Sequence, residues 1–437
     1  MNARHEIASP RIEPGLDGSA AQTSWYSTNK RWGLRRRRPQ KIALFGLFGC
    51  GNLGNDGSLE AMLDFLRRER PEAEIVCICD QPEVVADGFA LDTRPISLSR
   101  HLTGFARKLD RLMLRIPGKI CDVALSFRHL RNVDAMVVPG TGILDDFGER
   151  PHGMPLDIFT WFLTARLLGV KTGMVSIGAG PIRHPLSRRL MMGAARLAHY
   201  RSYRDAISKE FMEKLGFDTS RDRVYPDIAF NLDSPSAHSR AKAPDEPLTV
   251  GVGVMSYYGW YGFEAGGPDI FAGYLKKITR FIVHLLDEGH DVRLLTGEDG
   301  DWTAVDAVRD AVDKARPDMA DGRVVADPCG SLNELMEQIV RTDIVVATRF
   351  HNIVCALKTG KPAISLGYAL KNDVLMAEMG MGDYCHHVEQ FDVDELIAQF
   401  ARIVARRGEH EKTIAESNRA FRQALERQDA ELLARLV

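Results

Sequence analysis

The sequence has no long apolar run, little cysteine and almost no net charge. Its 57 Lys and Arg nearly balance its 59 Asp and Glu in 437 residues, so the formal charge is −2 at pH 7. A net charge this close to zero does not indicate a nucleic-acid-binding protein. No apolar stretch approaches the roughly 20 residues that a membrane-spanning helix needs, and the N-terminal residues lack the pattern of a secretion signal. The composition therefore predicts an ordinary soluble globular protein.

The seven cysteines are scattered along the chain. Only Cys77 and Cys79 are close in sequence, and they lie within a run that is typical of a strand. There is no CxxC pair and no spacing typical of metal ligands. Such use of cysteine is typical of reduced, buried thiols. We therefore expect a cytoplasmic protein without a metal centre.

Strand-like and helical patterns alternate from Lys41 onward, which predicts parallel sheets with helices on both faces. The predicted strands are Lys41–Leu47, Glu74–Cys79, Asp134–Val138, Lys171–Ile177, Tyr200–Tyr203, Arg223–Tyr225, Leu248–Met255, Asp291–Thr296, Arg323–Ala326, Asp343–Ala347 and Pro362–Leu366. The expected parts of the chain are a disordered basic tail (1–40), an N-terminal acceptor-side domain (41–232), a linker (233–247), a C-terminal donor-side domain (248–390) and terminal helices (391–437). The predicted fold class is α/β, with two Rossmann-like parallel-sheet domains that face each other across a cleft.

Polar side chains follow two consecutive predicted strands near the C-terminal side of the chain. Arg349, His351 and Asn352 come directly after one strand, and Lys371 follows the next. Ligands of open α/β sheets bind at the carboxyl ends of the strands. Two permanent cations and one imidazole at this edge therefore predict a pocket for a small, highly charged anion.

A glycine-rich loop follows the first predicted strand. Gly49, Gly51 and Gly54 match the GxGxxG pattern of dinucleotide-binding loops. The loop is longer than the tight dinucleotide turn, however, and Asp56 would place a carboxylate close to a pyrophosphate. We favour a loop that brings Asn52 and Asp56 into the cleft, where they suit sugar hydroxyls. The alternative is that Asp56 or Ser58 caps a predicted helix, Ser58–Glu69.

Two further strand ends carry candidate residues. Arg204 follows the strand Tyr200–Tyr203 and is either a third anion-binding cation or a member of a surface ion pair. The adjacent Asp205 fits a role as the cap of the following helix as well as it fits a role in such an ion pair. Asp227 follows the strand Arg223–Tyr225 and points toward the same edge of the sheet.

The segment 97–132 interleaves basic and apolar residues. We expect an amphipathic helix that packs its apolar side against its own domain, as such helices usually do. The alternative is a peripheral contact with anionic lipid, to which the run Arg35–Arg38 in the basic tail would contribute.

The segment from Ala347 to Asp373 resembles the signature region of the polysaccharide pyruvyl transferase family. Other landmarks of that family are similar in sequence and order: the GNLGND loop at Gly51, the PGTGIL turn at Pro139, the YRD residues at Tyr203 and the YPD residues at Tyr225. The resemblance covers roughly Lys41–Gly380. It implies a GT-B-like fold and transfer of an enolpyruvyl unit from phosphoenolpyruvate to two sugar hydroxyls, which makes a cyclic ketal and releases phosphate.

The resemblance also implies roles for individual residues. Arg204, Arg349 and Lys371 would bind the donor, which carries about three negative charges at pH 7. His351 would be the general acid, and Asp56 or Asp227 would deprotonate the hydroxyls. Asn52 in the glycine loop and Asn352 at the strand end are further candidates for substrate binding, on the basis of their positions. No metal or cofactor besides the donor is implied. The expected partners are phosphoenolpyruvate and a sugar or lipid-linked saccharide, with peripheral contact at the inner face of the plasma membrane as an open alternative and no nucleic acid.

Two other functions use the same architecture. A GT-B glycosyltransferase would bind a nucleotide sugar, and it would ordinarily carry an acidic residue for the ribose in the late loops of the second domain. A non-catalytic sugar-binding protein would have no need for clustered cations. The positions of Arg349, His351 and Lys371 therefore favour the transferase.

Overall fold

The computed structural model describes residues 38–113, 115–146, 149–235, 246–259 and 266–437. Most of the predicted disordered tail (1–40) and of the predicted linker (233–247) lies outside these ranges. The domain boundaries proposed from the sequence therefore stay predictions.

Seven strands form a fully parallel N-terminal sheet. They are β1 (Lys41–Gly46), β2 (Glu74–Cys79), β3 (Asp92–Pro95), β4 (Ala135–Pro139), β5 (Lys171–Ile177), β6 (Tyr200–Tyr203) and β7 (Arg223–Val224). Their spatial order is β3-β2-β1-β4-β5-β6-β7. The direction of winding reverses between β1 and β4, and such a reversal opens a crevice at the carboxyl ends of the strands.

Six strands form a second parallel sheet of the same design. They are β8 (Thr249–Gly253), β9 (Asp291–Leu295), β10 (Val324–Ala326), β11 (Ile344–Ala347), β12 (Ala363–Gly367) and β13 (Cys385–His387). Their order is β10-β9-β8-β11-β12-β13, so the reversal here lies between β8 and β11. The predicted fold class, two parallel-sheet α/β domains, is confirmed.

Helices connect the strands. They are α1 (Leu53–Glu69), α2 (Pro82–Phe89), α3 (Gly104–Leu112), α4 (Ile116–Leu130), α5 (Met154–Leu168), α6 (Pro185–Leu197), α7 (Ala206–Lys214), α8 (Gly267–Asp287), α9 (Trp302–Ala315), α10 (Leu332–Ile339), α11 (Phe350–Lys358), α12 (Lys371–Glu378), α13 (Val393–Ala405) and α14 (Arg407–Arg435). Short 3-10 turns lie at Ser99–His101, Ile228–Asn231 and Asp299–Asp301. Among the described residues, none of the helices combines the length and apolarity needed to span a bilayer.

Every predicted strand is present, but the strands β3 and β13 were not predicted. Both are short, and neither carries enough apolar residues to show a pattern. Helix α1 corrects a second prediction, because it begins at Leu53 rather than at Ser58. Its N-cap is Asn52, whose side-chain oxygen accepts hydrogen bonds from the N–H groups of Gly54 and Asn55. Neither Asp56 nor Ser58 is the cap.

The prediction that segment 97–132 buries its apolar side is wrong for α3. In that helix no described side chain is buried, and Phe105, Leu109 and Leu112 are exposed. Helix α4 does pack on its domain, through Leu125 and Leu130.

The last helix joins the C-terminal part of the chain to the N-terminal sheet. Gln428 in α14 is buried and hydrogen-bonds the hydroxyls of Ser176 and Ser202. Leu436 packs against Gly173 of β5. Because α14 also touches the turn Ile228–Asn231 and helix α11, it holds the two domains in one compact unit.

Candidate active site

A cavity of about 330 Å³ lies between the two sheets, at the carboxyl ends of their strands. Residues after strands of both domains line it. From the N-terminal domain these are Leu47, Cys50, Asn52, Asn55, Thr141, Gly142, Ile143, Asp145, Glu149, Met154 and Arg204, and from the C-terminal domain Gly297, Glu298, Arg349, Phe350, His351, Tyr368 and Lys371. The cavity is therefore the predicted cleft, and it contains all three predicted cations.

Arg349 follows β11 and lies at the N-terminus of α11. Its guanidinium donates two hydrogen bonds to Asp301, from Nε (3.0 Å) and from a terminal nitrogen (2.7 Å). Its other terminal nitrogen is 2.6 Å from Glu298 Oε2. Asp301 is fully buried, so Arg349 is a fixed and strongly oriented cation.

Phe350 brings the other two cations together. The guanidinium carbon of Arg204 lies 4.7 Å from the centre of the Phe350 ring, and Nζ of Lys371 lies 5.5 Å from it. Lys371 also contacts the ring of Tyr368, at 5.1 Å. Within the described residues Lys371 has no carboxylate at ion-pair distance. Lys371 is thus the cation with its charge most available to a ligand.

Arg204 is buried, and its ion pairs are buried with it. One terminal nitrogen lies 3.3 Å from Asp227 Oδ2, and Nε lies 3.7 Å from Asp205 Oδ2. The alternative of a surface ion pair is therefore wrong. Asp205 also caps α7, because its Oδ1 accepts a hydrogen bond from the Ser208 N–H. The Nε of Arg204 has no hydrogen-bond partner among the described residues, although it is buried. A buried donor that has an ion-pair partner but no hydrogen bond departs from the usual satisfaction of buried polar groups.

His351 lies in the same group. Its Nε2 is 3.8 Å from Asp227 Oδ2 and is buried without a hydrogen-bond partner in the described part of the chain. Burial, and then the positive charges of Arg204, Lys371 and Arg349, hold the pKa of His351 well below its usual range. The imidazole is therefore neutral at pH 7 in the cavity without a ligand.

The glycine loop contacts the second domain directly. The Leu53 N–H donates to the carbonyl of Gly297 (3.1 Å), and the Asp299 N–H donates to the carbonyl of Gly51 (3.2 Å). Gly51 has a φ of +80°, and a Cβ there would lie 2.5 Å from a carboxylate oxygen of Asp299. Gly51 therefore serves a close approach between the two domains rather than a pyrophosphate.

Three predicted residues do not lie on the cavity wall. Asp227 lies behind it, against Arg204 and His351. Asp56 lies in the first turn of α1 and turns toward the glycine loop before it, where its Oδ1 accepts a hydrogen bond from the Gly49 N–H (2.8 Å), and burial raises the pKa of Asp56 to about 6. Asn352 is fully buried beneath the wall, and its amide has no partner among the described residues. Asn52 does reach the cavity, although its side-chain oxygen caps α1.

Sequence reasoning missed Glu298 and Asp301, the partners of Arg349. Both lie just after β9, so the rule that singled out Arg349 and Lys371 applies to them as well. Asp145, Glu149 and Tyr368 were also missed. Asp145 and Glu149 lie beyond the PGTGIL turn, in a segment with no regular pattern that would have drawn attention to them.

Comparison with known proteins identifies the family. A sequence profile described as "Polysaccharide pyruvyl transferase" matches residues 52–369, which is more than half of the chain. The chain belongs to the polysaccharide pyruvyl transferase family. The predicted resemblance is confirmed, and the matched region includes Asn52, Arg204, Arg349 and His351, whereas Lys371 lies just beyond it.

The chain is also similar to a curated protein of Erwinia amylovora, the amylovoran biosynthesis protein AmsJ. The two are 22% identical over 411 residues, which cover 86% of this chain and 95% of AmsJ. The family and this relative together support a transferase that acts in polysaccharide pyruvylation.

Solved structures similar to this chain show the fold alone, since their sequence identity to it is low. A UDP co-structure of MnaA from S. aureus has a TM-score of 0.54 at 12% identity, with coverage of 86% of this chain and 91% of that one. A glycosyltransferase of Rickettsia africae has a TM-score of 0.55 at 10% identity, with coverage of 91% and 98%. Both structural similarities agree with the two-domain α/β architecture described above.

The described residues contain no cluster of three or more His, Cys, Asp or Glu side chains that could hold a metal ion. Positive charge in the cavity comes from Arg204, Arg349 and Lys371. The prediction that no cofactor is needed remains a prediction.

Proposed function

We propose that this pyruvyl transferase uses phosphoenolpyruvate as its donor and joins the pyruvyl unit to two hydroxyls of one saccharide as a cyclic ketal. Phosphate is the second product, and the ketal modifies a cell-surface or exported polysaccharide. The observation that carries this proposal is the group of three cations around one neutral, partly buried imidazole. Because all the cysteines are unpaired thiols, we place the reaction in the cytoplasm.

The charges of the cavity suit this donor. Phosphoenolpyruvate has a carboxylate and a phosphate on neighbouring atoms, and arginine binds both groups through paired hydrogen bonds. Arg204 and Lys371 both line one cavity of about 330 Å³, and Lys371 has no carboxylate at ion-pair distance among the described residues. The N-terminus of α11 adds the positive end of a helix dipole at the same place.

The reaction needs no net proton from solvent. The donor has three negative charges at neutral pH, and its C3 methylene gains a proton to become a methyl group. The carbon C2 forms two C–O bonds to the sugar and loses the C–O bond to phosphate. The two sugar hydroxyls lose two protons in all. One of them offsets the proton that C3 gains, and the other leaves with the phosphate.

His351 is the group that we assign to the proton transfer at C3. It is neutral in the cavity without a ligand, and the charge of the bound donor raises its pKa and allows it to take up a proton. Asp227, at 3.8 Å, then stabilises the imidazolium. In this proposal Asp227 acts through His351 and holds Arg204, rather than acting on the sugar.

A phosphate-release assay with phosphoenolpyruvate and a panel of saccharides tests the proposal. We expect phosphate release that depends on a saccharide with a suitable free pair of hydroxyls, and a ketal that mass spectrometry detects on the product. Release of a nucleotide from a nucleotide sugar, with no reaction of phosphoenolpyruvate, would support the glycosyltransferase alternative instead. Binding of saccharide without any turnover would support a non-catalytic protein.

A further inference from the structure

Helix α3 exposes large apolar side chains. Phe105 is 79% exposed and Leu112 is 80% exposed. Helices of globular proteins normally gain their stability by burying an apolar face. A helix of this composition that buries no described side chain in its own domain therefore indicates a surface that meets something else.

Helix α4 extends the same surface. Ile116 and Ile120 are exposed there, and they line a groove of about 530 Å³. We call Phe105, Leu109, Leu112, Ile116 and Ile120 the apolar ridge. The remaining lining of the groove is Val123 and Ala124 with Arg115, Lys119 and His152.

Positive charge surrounds the apolar ridge. Lys108, Arg111 and Arg115 are exposed between its members. The acidic residue within α3, Asp110, is partly buried, and its Oδ1 accepts a hydrogen bond from the Gly118 N–H. Apolar side chains next to exposed cations match the boundary between the acyl chains and the phosphates of a bilayer.

A second copy of the chain fits this surface less well. A two-fold dimer interface brings the same patch of both subunits together. Lys108 and Arg111 would then face the same cations of the second copy, and the resulting repulsion would oppose the apolar contact.

The ridge also lies next to the active-site cavity in the fold. His152 lines the groove of α4, and its close neighbours Glu149 and Met154 line the cavity. One short segment therefore borders both. A surface bound at this ridge would lie beside the wall of the catalytic cavity.

We propose that α3 and α4 dock this protein on an anionic lipid bilayer, with the apolar ridge inserted among the headgroups and Lys108, Arg111 and Arg115 on lipid phosphates. The contact is peripheral. It does not rest on phosphoenolpyruvate being the donor.

Vesicle flotation of the full chain tests the proposal. The vesicles are phosphatidylcholine alone, or phosphatidylcholine with about 30% phosphatidylglycerol to supply negative charge. We expect the protein to float with the anionic vesicles and to dissociate as salt is raised. A triple variant, Phe105→Ser with Leu112→Ser and Ile120→Ser, should bind at least about tenfold more weakly, because it loses three inserted apolar groups.

Two matched variants separate the ridge from other causes. Val84→Ser removes an exposed apolar residue of α2, outside the ridge, and should float like the wild type. Lys108→Gln with Arg111→Gln should weaken binding to anionic vesicles only. None of these side chains is buried, so each variant should fold like the wild type. Thermal melting checks this.

Three results would overturn the proposal. The first is a wild-type chain that does not float with anionic vesicles, and the second is a triple variant that floats as well as the wild type. The third is a wild-type dimer in light scattering that the triple variant converts to a monomer, because this would make a second copy the occupant of the ridge.

Discussion

Gly54 and the imidazole of His351 approach so closely that no side chain fits between them. A Cβ on Gly54 would lie 1.8 Å from Nδ1 of His351. Helix α1 of one domain therefore supports the ring that we assign to proton transfer in the other domain. The glycine loop contributes to the site by this contact, and no nucleotide is needed to explain its glycines.

Gly54→Ala should displace His351 and reduce turnover. A shift of about 1 Å in a reacting group can cost on the order of 100-fold in rate, and forcing a methyl group into a packed site costs about 1–3 kcal/mol of stability. Steady-state kinetics and urea unfolding measure the two effects. Gly88→Ala is the matched control, because nothing lies within 4 Å of the added Cβ in α2. It should keep full activity and gain about 0.5–1 kcal/mol. Equal activity of the two variants would contradict the role of this contact.

The sequence predicted the residues at the carboxyl ends of the strands well. The rule that ligands bind there requires only that the strands, and the residues that follow them, are recognised. Arg204, Arg349, His351 and Lys371 were found in this way, and they all line one cavity. The direction of a side chain was not predictable. Asp56 lies in the first turn of α1, beside the cleft, but its carboxylate accepts a hydrogen bond from the N–H of Gly49 instead of reaching the cavity. Such local hydrogen bonds depend on backbone geometry that no spacing of residues reveals.

The packing of α3 is a second case in which the sequence was insufficient. Its apolar residues have helical spacing, and this pattern predicts a buried face. Periodicity identifies which residues share a face, but it does not identify what that face meets. Only the fold shows that Phe105 and Leu112 extend into solvent.

Lys371→Met should weaken donor binding with little effect on the fold. Lys371 contacts the rings of Phe350 and Tyr368, and methionine keeps an apolar contact with both. We expect the KM for phosphoenolpyruvate to rise by about 10- to 100-fold through loss of a charge-assisted contact. Lys277→Met is the control, since Lys277 lies 4.9 Å from the ring of Phe391 and does not line the cavity. An unchanged KM in Lys371→Met would exclude Lys371 from the donor site.

Arg349→Gln should destabilise the protein as well as inactivate it. The change leaves the fully buried Asp301 without its cation, and such a loss costs about 3–5 kcal/mol. The double variant Arg349→Gln with Asp301→Asn removes both charges and should recover most of this loss in urea unfolding. Its activity should stay low, because the donor still lacks a cation. Recovery of turnover in the double variant would show that Arg349 is structural only.

Asp56→Asn should change how stability depends on pH. Burial raises the pKa of Asp56 to about 6 in the folded protein, whereas an unfolded chain has an aspartate pKa of about 3.9. The folded state thus binds this proton more tightly, so its contribution to stability falls as pH rises from about 4 to about 7. The asparagine variant lacks this titration and still accepts the Gly49 N–H.

Urea unfolding at several pH values measures the difference. We expect Asp56→Asn to gain about 1–3 kcal/mol relative to the wild type between pH 4 and pH 8. A difference that is constant with pH would show that Asp56 keeps an ordinary pKa. Turnover of Asp56→Asn also distinguishes a structural Asp56 from an Asp56 that acts as the catalytic base. Its position off the cavity wall predicts a loss of less than about tenfold, whereas the base that deprotonates a hydroxyl contributes about 100-fold or more.

His351 should take up a proton when the donor binds. Burial and three nearby cations hold its pKa well below the usual range, so it is neutral at pH 7. The donor brings about three negative charges beside it and raises that pKa. Proton uptake on binding means that the affinity for phosphoenolpyruvate falls as pH rises above 7.

Isothermal titration calorimetry in two buffers of different ionisation enthalpy measures this uptake. The phosphate of the donor titrates as well, so His351→Gln is needed as the reference, because it keeps a similar volume and cannot take up the proton. We expect the uptake to be larger in the wild type than in His351→Gln, and turnover of the variant to fall by about 100- to 10,000-fold. Equal uptake with lost turnover would mean that His351 stays neutral and positions the donor. The proton for C3 would then have to come from another group on the cavity wall, and Asp145 and Glu149 would be the next candidates.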